Sequence, residues 1–478
     1  MIPSVTLTMV DGVRVVVPDS LDLITPYVLR EQQDWFEDEI KFLRHLLQPG
    51  QKVIDIGANY GVYALSMART VGPTGHVWAF EPATSTAKLL AAGIAANDFS
   101  HVTLAQSALS GEKGVAQLSM RQHSELNALV RGAPSTGAHE TVPVVTMDDC
   151  METYGWQDIE LVKIDAEGEE ANILKGGTRF FAEQSPLVLY EIRAGQELHL
   201  ELLQAFHSLG YNSYRLVPGL NLLVSFTAES PPDDFLLNLF CCKPDRAARL
   251  AELGWLLESP THTLGAREEQ INRARGKTGS HDSHGWRNVL TKMPYGSSLA
   301  GLWEQTVAAG QSGQVEDALV LHSLSRDASL TPRERFSALE ASYGKLRALC
   351  ESDASHLRLS SLSRVAWEYG ARKIAAEALA QLCNRFIQVK SADLSEPFLL
   401  PGERFDSVPP GEAFGNWILS AAVEEFERIS AYSSFYSPGL SRLHLESIRD
   451  LGFFGPEMRR RLELLELRSG RSDVSIKA

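Results

Sequence analysis

The first half of the chain alternates short β-branched runs with segments of helical period. Val5-Thr6-Leu7-Thr8, a turn at Asp11-Gly12 and Val13-Arg14-Val15-Val16-Val17 predict a hairpin ahead of the main sheet. Trp35, Phe36, Ile40, Phe42, Leu43, Leu46 and Leu47 then recur at helical spacing in a charged segment that ends at Pro49-Gly50, which predicts an amphipathic entry helix. From there to about residue 226 strands and helices alternate. Strands are predicted over 52–56, 76–80, 102–106, 161–164, 187–190 and 221–225, and helices over 62–70 and 85–96. That order predicts a doubly wound, mostly parallel α/β sheet with a late antiparallel addition.

Around residues 256–297 the periodicity fades into Gly, Ser, His, Asn and basic residues, including Gly276-Lys277-Thr278-Gly279-Ser280-His281, and a linker or mobile lid is expected there. Beyond it the period is helical over 299–309, 315–324, 332–350, 357–369, 373–386, 413–430 and 456–467, with no convincing strand. Gly313, Glu316 and Ala318, and Gly370, Ala375 and Ala376, faintly resemble tetratricopeptide units. Their offset of about 57 residues does not fit that period of about 34, so no repeat array is expected. The expected organisation is therefore an α/β domain over 1–245, a linker or lid over 246–297 and an all-α domain over 298–478.

Composition narrows the function. The chain has 478 residues, 44% hydrophobic and 22% charged, ordinary for a soluble protein and long enough for two domains. Its formal charge of −15 falls on residues 1–245, while 246–478 sum to about zero by the same count. An acidic half argues against a nucleic-acid substrate held by its phosphates and favours a small molecule or glycan. Met1–Val10 lack a basic and apolar leader pattern, and no run of about 18 apolar residues occurs, so an unanchored, cytoplasmic protein without membrane contact is expected. Cys150, Cys241, Cys242, Cys350 and Cys383 form no CxxC pair and read as buried thiols.

The densest chemical signal is Val53-Ile54-Asp55-Ile56-Gly57-Ala58-Asn59-Tyr60-Gly61, a strand that ends in a carboxylate and a small-residue turn opening a helix. Gly57 and Gly61 permit left-handed backbone and close ligand approach. Asn59 and Val62 stand where a pyrophosphate cradle needs glycine, so a ligand without pyrophosphate is favoured, and S-adenosylmethionine is one. Its amino acid end fits beside Asp55 and the turn, its ribose diol beside Glu81, which follows the next strand, and its adenine near Gln106, Ser107 and Ala108. A further strand, Leu161-Val162-Lys163-Ile164, runs into Asp165-Ala166-Glu167-Gly168-Glu169-Glu170, and such strand ends line the crevice of a doubly wound sheet. At least one of Glu169 and Glu170 is read as a favourable charge at a helix N-terminus.

Taken together, D-I-G-A-N-Y-G (55–61), A-F-E-P (79–82), K-I-D-A-E-G-E-E (163–170) and L-K-G-G (174–177) resemble the FkbM family of methyltransferases over roughly residues 30–225. The resemblance implies O-methylation of hydroxyls on sugars or polyketide-type natural products by S-adenosylmethionine, which leaves S-adenosylhomocysteine, on a Rossmann-like class I fold. It places the motif carboxylates on Asp55, Glu81, Asp165 and Glu167, with Pro82 in the second motif and Glu191 at the end of the strand finishing in Tyr190. It does not reach the helical half.

Methyl transfer to an alcohol needs alignment, which supplies about 7–11 kcal/mol, and a base that adds about 10²- to 10⁴-fold. Glu167 and Asp165 lead as base candidates, followed by Glu191, with His123 available on a loop after a strand. Ser124, Asn127 and Arg193 are candidates for acceptor contacts. A carboxylate cluster can also hold Mg²⁺, but that arrangement is not favoured and no metal ligands are assigned. No H-x-x-x-H or H-E-x-x-H pair occurs, and His281 and His284 read as polar loop residues. An NAD(P)-dependent oxidoreductase and an inactive methyltransferase-fold scaffold are the alternatives. The helical half is expected to present substrate, cover the site, or form a homodimer or protein contact.

Overall fold

In the computed structural model the described residues are 3–130, 137–194, 197–227, 233–258, 294–308, 313–389 and 396–475. They divide into two compact units, one of residues 1–216, 223–232 and 236–258 and one of 217–222, 233–235 and 259–478.

In the first unit the hairpin pairs β1 (Ser4–Thr8) with β2 (Arg14–Pro18), closed by Gly12 at φ 80° and by Val13 N–H donating to Asp11 Oδ1 at 3.0 Å. Val13, Val15 and Val17 are fully buried, so the hairpin is part of the core. Helices α1 (Ile24–Gln32) and α2 (Asp38–Leu46) follow. The entry helix is shorter than its apolar pattern predicts: Trp35 and Phe36 precede it, and Glu37 caps it in extended backbone.

The elements that build the site come next: β3 (Lys52–Ile56), α3 (Val62–Val71), β4 (His76–Phe80), α4 (Thr84–Ala96), β5 (Val102–Ala105), β6 (Ala108–Leu109), β7 (Gly114–Met120), β8 (Ala128–Leu129) and β9 (Ala138–Val145). After them run α5 (Met147–Tyr154), β10 (Ile159–Ile164), α6 (Glu170–Lys175), α7 (Thr178–Glu183), β11 (Leu187–Glu191), β12 (Arg193–Ala194), β13 (Glu197–Leu198) and α8 (Glu201–Ser208). The unit is completed by β14 (Asn212–Val217), β15 (Leu222–Ser225), β16 (Asn238–Cys242), α9 (Pro244–Glu252) and β17 (Leu256–Leu257).

The main sheet has the order β17-β15-β14-β16-β11-β10-β3-β4-β5. Strands β11, β10, β3, β4 and β5 are parallel, whereas β16 runs antiparallel to β11 and β14. Residues 238–242, noticed in the sequence only for their two cysteines, both buried there, thus supply an antiparallel strand. The order in which strands are added across the sheet reverses between β3 and β10, the switch point at which doubly wound sheets bind ligands beyond their strand ends. Alternation along the strands explains the two cores. Val53, Val77, Leu161 and Leu189 face one layer, and Ile54, Trp78, Val162 and Val188 face the other.

A second sheet, β6-β9-β7-β8, was not apparent from the sequence because β6 and β8 have only two residues each and β7 and β9 are largely exposed or half-buried, without a clear apolar alternation. Residues 246–258, which the sequence suggested as the start of a linker, instead form α9 and β17; Ala247, Leu250 and Leu256 are buried in the core. The rest of that linker, with His281 and His284, lies largely outside the described residues.

In the second unit, helices over Pro294–Ala308, Gly313–Ser325, Pro332–Ser352, His356–Tyr369, Arg372–Val389, Phe414–Ser430 and Pro456–Ser475 occupy the segments of helical period. From Gly313 onward each packs on the next. Thr331 and Glu334 form a reciprocal capping box that fixes the start of one of them. A further helix, Pro438–Leu451, escaped the sequence reading because Leu440 and Leu443 are exposed and only Ser441, Leu445 and Ile448 face inward. No helix among the described residues is long and apolar enough to cross a membrane.

Candidate active site

The turn after β3 is held by backbone. Gly57 and Ala58 N–H both donate to Phe80 O, at 3.0 and 2.9 Å, which folds the turn onto the end of β4. Gly57, Asn59 and Gly61 take φ of 79°, 49° and 87°, the left-handed region that favours glycine and tolerates asparagine. At Gly57 a Cβ would lie 1.7 Å from Asp165 O, so glycine is required by the close approach of the β10 connection as well as by φ.

Glu81 braces the same turn. Its Oε2 accepts from Asn59 N–H at 2.9 Å and its Oε1 from Ala83 N–H at 2.8 Å. Burial pushes its carboxyl up to about 7. Asp55 is fully buried, and neither of its oxygens has a hydrogen-bond partner of ordinary geometry, although the nearby Ala64 amide of the α3 N-terminus eases its charge. Burial pushes its carboxyl up to about 6 against the pull of Lys163, whose Nζ lies 3.9 Å from Oδ1. An unsatisfied buried carboxylate costs about 1–3 kcal/mol or more, which marks Asp55 as an acceptor awaiting a donor. Pro82 is half-buried after Glu81, and Ser107 and Ala108 are buried beyond the end of β5, the positions expected for the rest of a nucleoside.

The switch point also gathers three acids. Asp165, Glu167 and Glu191 each bring a carboxylate oxygen to within 4.8 Å of the others, a geometry able to hold a cation, although the sequence led to no metal assignment. Burial raises the Glu167 carboxyl to about 8, helped by the charges of Asp165, Glu170 and Glu125. Burial, Asp165 and Glu167 drive Glu191 well above the usual carboxylate range. The loop presenting Glu167 is pinned by Glu170, which accepts from Ala166 N–H at 3.0 Å and Gly168 N–H at 3.3 Å. Glu169 accepts from Ser110 Oγ at 2.7 Å, so both glutamates are structural.

The loop after β7 makes a short 3₁₀ turn at Ser124–Leu126, with His123 half-buried just before it. Ser124 Oγ donates to Asn59 Oδ1 at 3.0 Å, which ties this residue to the turn after β3. Asn127 Oδ1 accepts from Arg121 N–H at 2.8 Å and closes the loop, and Arg193 Nε donates to Leu236 O at 3.3 Å. Two of the three residues expected to touch acceptor thus have a carbonyl or a donor engaged in shaping the loops, and the third is bonded to the turn.

Sequence reasoning missed Glu37, Tyr63, Lys163, Thr25 and Glu125. Lys163 Nζ donates to Asp165 Oδ2 at 2.7 Å and stands 4.8 Å from the centroid of the Tyr63 ring, and Tyr63 OH donates to Glu37. Glu125 accepts from Thr25 N–H at 3.1 Å and from its hydroxyl, which fastens α1 to the loop after β7. A single lysine inside the apolar run 161–164 was the one signal visible beforehand; the other four depend on contacts between distant segments.

Residues 55–213 match the family model described as the methyltransferase FkbM domain, and the chain extends beyond that domain with a helical C-terminal region. The chain is similar to methyltransferase sdnD of Sordaria araneosa, 29% identical over 154 residues that cover 26% of this chain and 59% of that protein. It therefore spans under two thirds of the length of that curated relative. Among solved structures it is similar to methyltransferase FkbM from Methylobacillus flagellatus KT, at 17% identity over 41% of this chain and 44% of that one, with a TM-score of 0.29. A SAM-dependent O-methyltransferase from Thermotoga maritima matches at 13% identity over 50% and 78% of the two chains, with a TM-score of 0.26. The strand order itself is that of a Rossmann-like, doubly wound sheet with a late antiparallel addition.

Proposed function

We propose that this protein is an S-adenosylmethionine-dependent O-methyltransferase whose acceptor is a hydroxyl of a sugar, glycan or polyketide-type small molecule. The observation that carries the reading is the Asp55 carboxylate: fully buried, without a hydrogen-bond partner of ordinary geometry, at a left-handed Gly-Asn-Gly turn on the sheet's switch point. Such a group suits the ammonium of an amino acid moiety. Glu81 has lone pairs left for a ribose diol after its two backbone bonds, and Ser107 and Ala108 border the adenine position. The residues present therefore fit the cofactor, which when bound supplies an electrophilic methyl group on a sulfonium.

This chain's residues then have to orient the acceptor and take its proton. Glu167 is the favoured base, since a carboxyl raised to about 8 is a stronger base once ionised than an ordinary glutamate. Asp165, ion-paired to Lys163, and Glu191 flank it and are suited to accept hydrogen bonds from neighbouring hydroxyls of a polyol. The helices before the matched domain contribute through Thr25 and Glu37, which brace the loop after β7 and the Tyr63–Lys163 side of the site.

The test is calorimetric titration with S-adenosylhomocysteine, with NAD⁺ and NADPH as controls, on the wild type and Asp55→Asn. Removing a charged acceptor should weaken binding by about 1.5–3 kcal/mol, roughly 10- to 150-fold. Stability should move the other way. A carboxyl held at about 6 instead of its ordinary 3.8 costs the free fold about 3 kcal/mol above pH 6, at about 1.36 kcal/mol per tenfold step in proton affinity. That cost fades as pH falls toward 4, so the melting temperature of Asp55→Asn should exceed that of the wild type at pH 7.5 and approach it near pH 4. Equal affinity in a folded variant, or binding of NAD⁺ in place of S-adenosylhomocysteine, overturns the reading.

A further inference from the structure

Strand register places a cation where the two halves of the site meet. Asp55 on β3 and Lys163 on β10 are Cα partners in the parallel ladder, so alternation points both side chains to the same face of the sheet. Both are buried, at 0% and 6% exposure. The Lys163 ammonium is 2.7 Å from Asp165 Oδ2 and 3.9 Å from Asp55 Oδ1, and it lies against the Tyr63 ring.

We infer that Lys163 is a positioning residue: its ammonium ties Asp55 at the cofactor turn to Asp165 on the acceptor side, and so sets the pH range over which the turn accepts a cationic ligand group. This rests on the methyl-transfer reading of the site. A buried ammonium is stable only with counter-charge and directed contacts, and a buried carboxylate without hydrogen bonds is stable only beside a cation. Here one group meets both needs. The groups that face it are Asp55 from β3, Asp165 from the β10 connection, and Tyr63 of α3 with Glu37 behind it. Glu167 feels its charge, Glu191 lies beyond Asp165, and Glu81 lies beyond Asp55. Lys163 is not required to contact cofactor or acceptor; it acts through the two aspartates.

The experiment is titration of S-adenosylhomocysteine into wild type, Lys163→Met and Lys163→Arg between pH 5.5 and 8.5. In the wild type, affinity should fall at acid pH with a half-point near that of Asp55, about 6. In Lys163→Met the half-point should rise by about one pH unit, with affinity lowered about fivefold at pH 6, about twofold at pH 7 and restored by pH 8.5. Lys163→Arg, which keeps the charge, should keep the wild-type half-point. A uniform loss at every pH in Lys163→Met would mean a merely structural role and overturns the inference, as does an unchanged profile. Should Lys163→Met fail to fold, Asp165→Asn decides: with its competing carboxylate gone the ammonium serves Asp55 alone, and the half-point should drop below that of the wild type. An unmoved or raised half-point there overturns the inference. Failure of the wild type to bind S-adenosylhomocysteine at any pH is a different result, which removes the methyl-transfer reading itself.

Discussion

Glu167→Gln should lower kcat by about 10²- to 10⁴-fold, the contribution of a positioned base, while S-adenosylhomocysteine affinity changes less than about threefold, an energy difference under 1 kcal/mol. Glutamine preserves the shape of the side chain and its left-handed backbone at φ 50°, so the change isolates proton acceptance. The pH profile carries the sharper signature. A base must be deprotonated to act, and burial with neighbouring carboxylates holds Glu167 at about 8. Activity of the wild type should therefore rise through pH 8 and level off above it, and that limb should vanish in Glu167→Gln. A variant with kcat within about threefold of the wild type would move the base to Glu191 or Asp165. The same assay with EDTA and with added Mg²⁺ separates a second use of the three carboxylates. On the base reading EDTA has no effect; strict dependence on Mg²⁺ would make Asp165, Glu167 and Glu191 a ligand set.

Gly57→Ala should remove the folded state of the first unit or destabilise it by more than about 4 kcal/mol, the range reserved for severe core disruption. The added Cβ would sit 1.7 Å from Asp165 O and 2.9 Å from its carbonyl carbon. Both belong to backbone, which is held by Asp165 N–H donating to Ile56 O at 3.1 Å. Two other glycines with positive φ provide the comparison. At Gly61 a Cβ would meet Leu90 Cδ1 at 2.3 Å, the end of a flexible side chain, and at Gly168 it would meet open space. Gly168→Ala should therefore show only the left-handed strain, about 1–3 kcal/mol, and Gly61→Ala a cost between the two. Urea unfolding followed by circular dichroism ranks them. If Gly57→Ala proved no worse than Gly168→Ala, the close approach of the two strand ends would not be what demands glycine.

Much of the first unit could be read from local pattern. The predicted strands at 52–56 and 76–80 coincide with β3 and β4, because a buried parallel strand is a short continuous apolar run bounded by turn residues. The residues proposed for the cofactor were legible for the same reason: Asp55, Gly57, Asn59, Gly61 and Glu81 lie in two contiguous segments whose backbone demands are written in their residue types. The acid cluster was legible only in part. Asp165 and Glu167 stood out as acids after a strand, yet nothing local said that Glu191 comes within 4.8 Å of them. Ser124 and Asn127 look like free loop polars in one dimension. In three, one is bonded to Asn59 and the other closes its own loop.

The sequence by itself determined the doubly wound class, the small-residue turn, the acidic strand ends and the helical character of the second half, since each depends on period, residue type or spacing within about a dozen positions. Only the tertiary structure decided which strand runs antiparallel, that residues 246–258 join the first core, and that Lys163 lies between Asp55 and Asp165 with Tyr63 and Glu37 behind it. Those facts depend on register between strands about thirty to a hundred residues apart and on the burial it creates, and burial is what turns ordinary carboxyls into groups held near 6, 7 and 8.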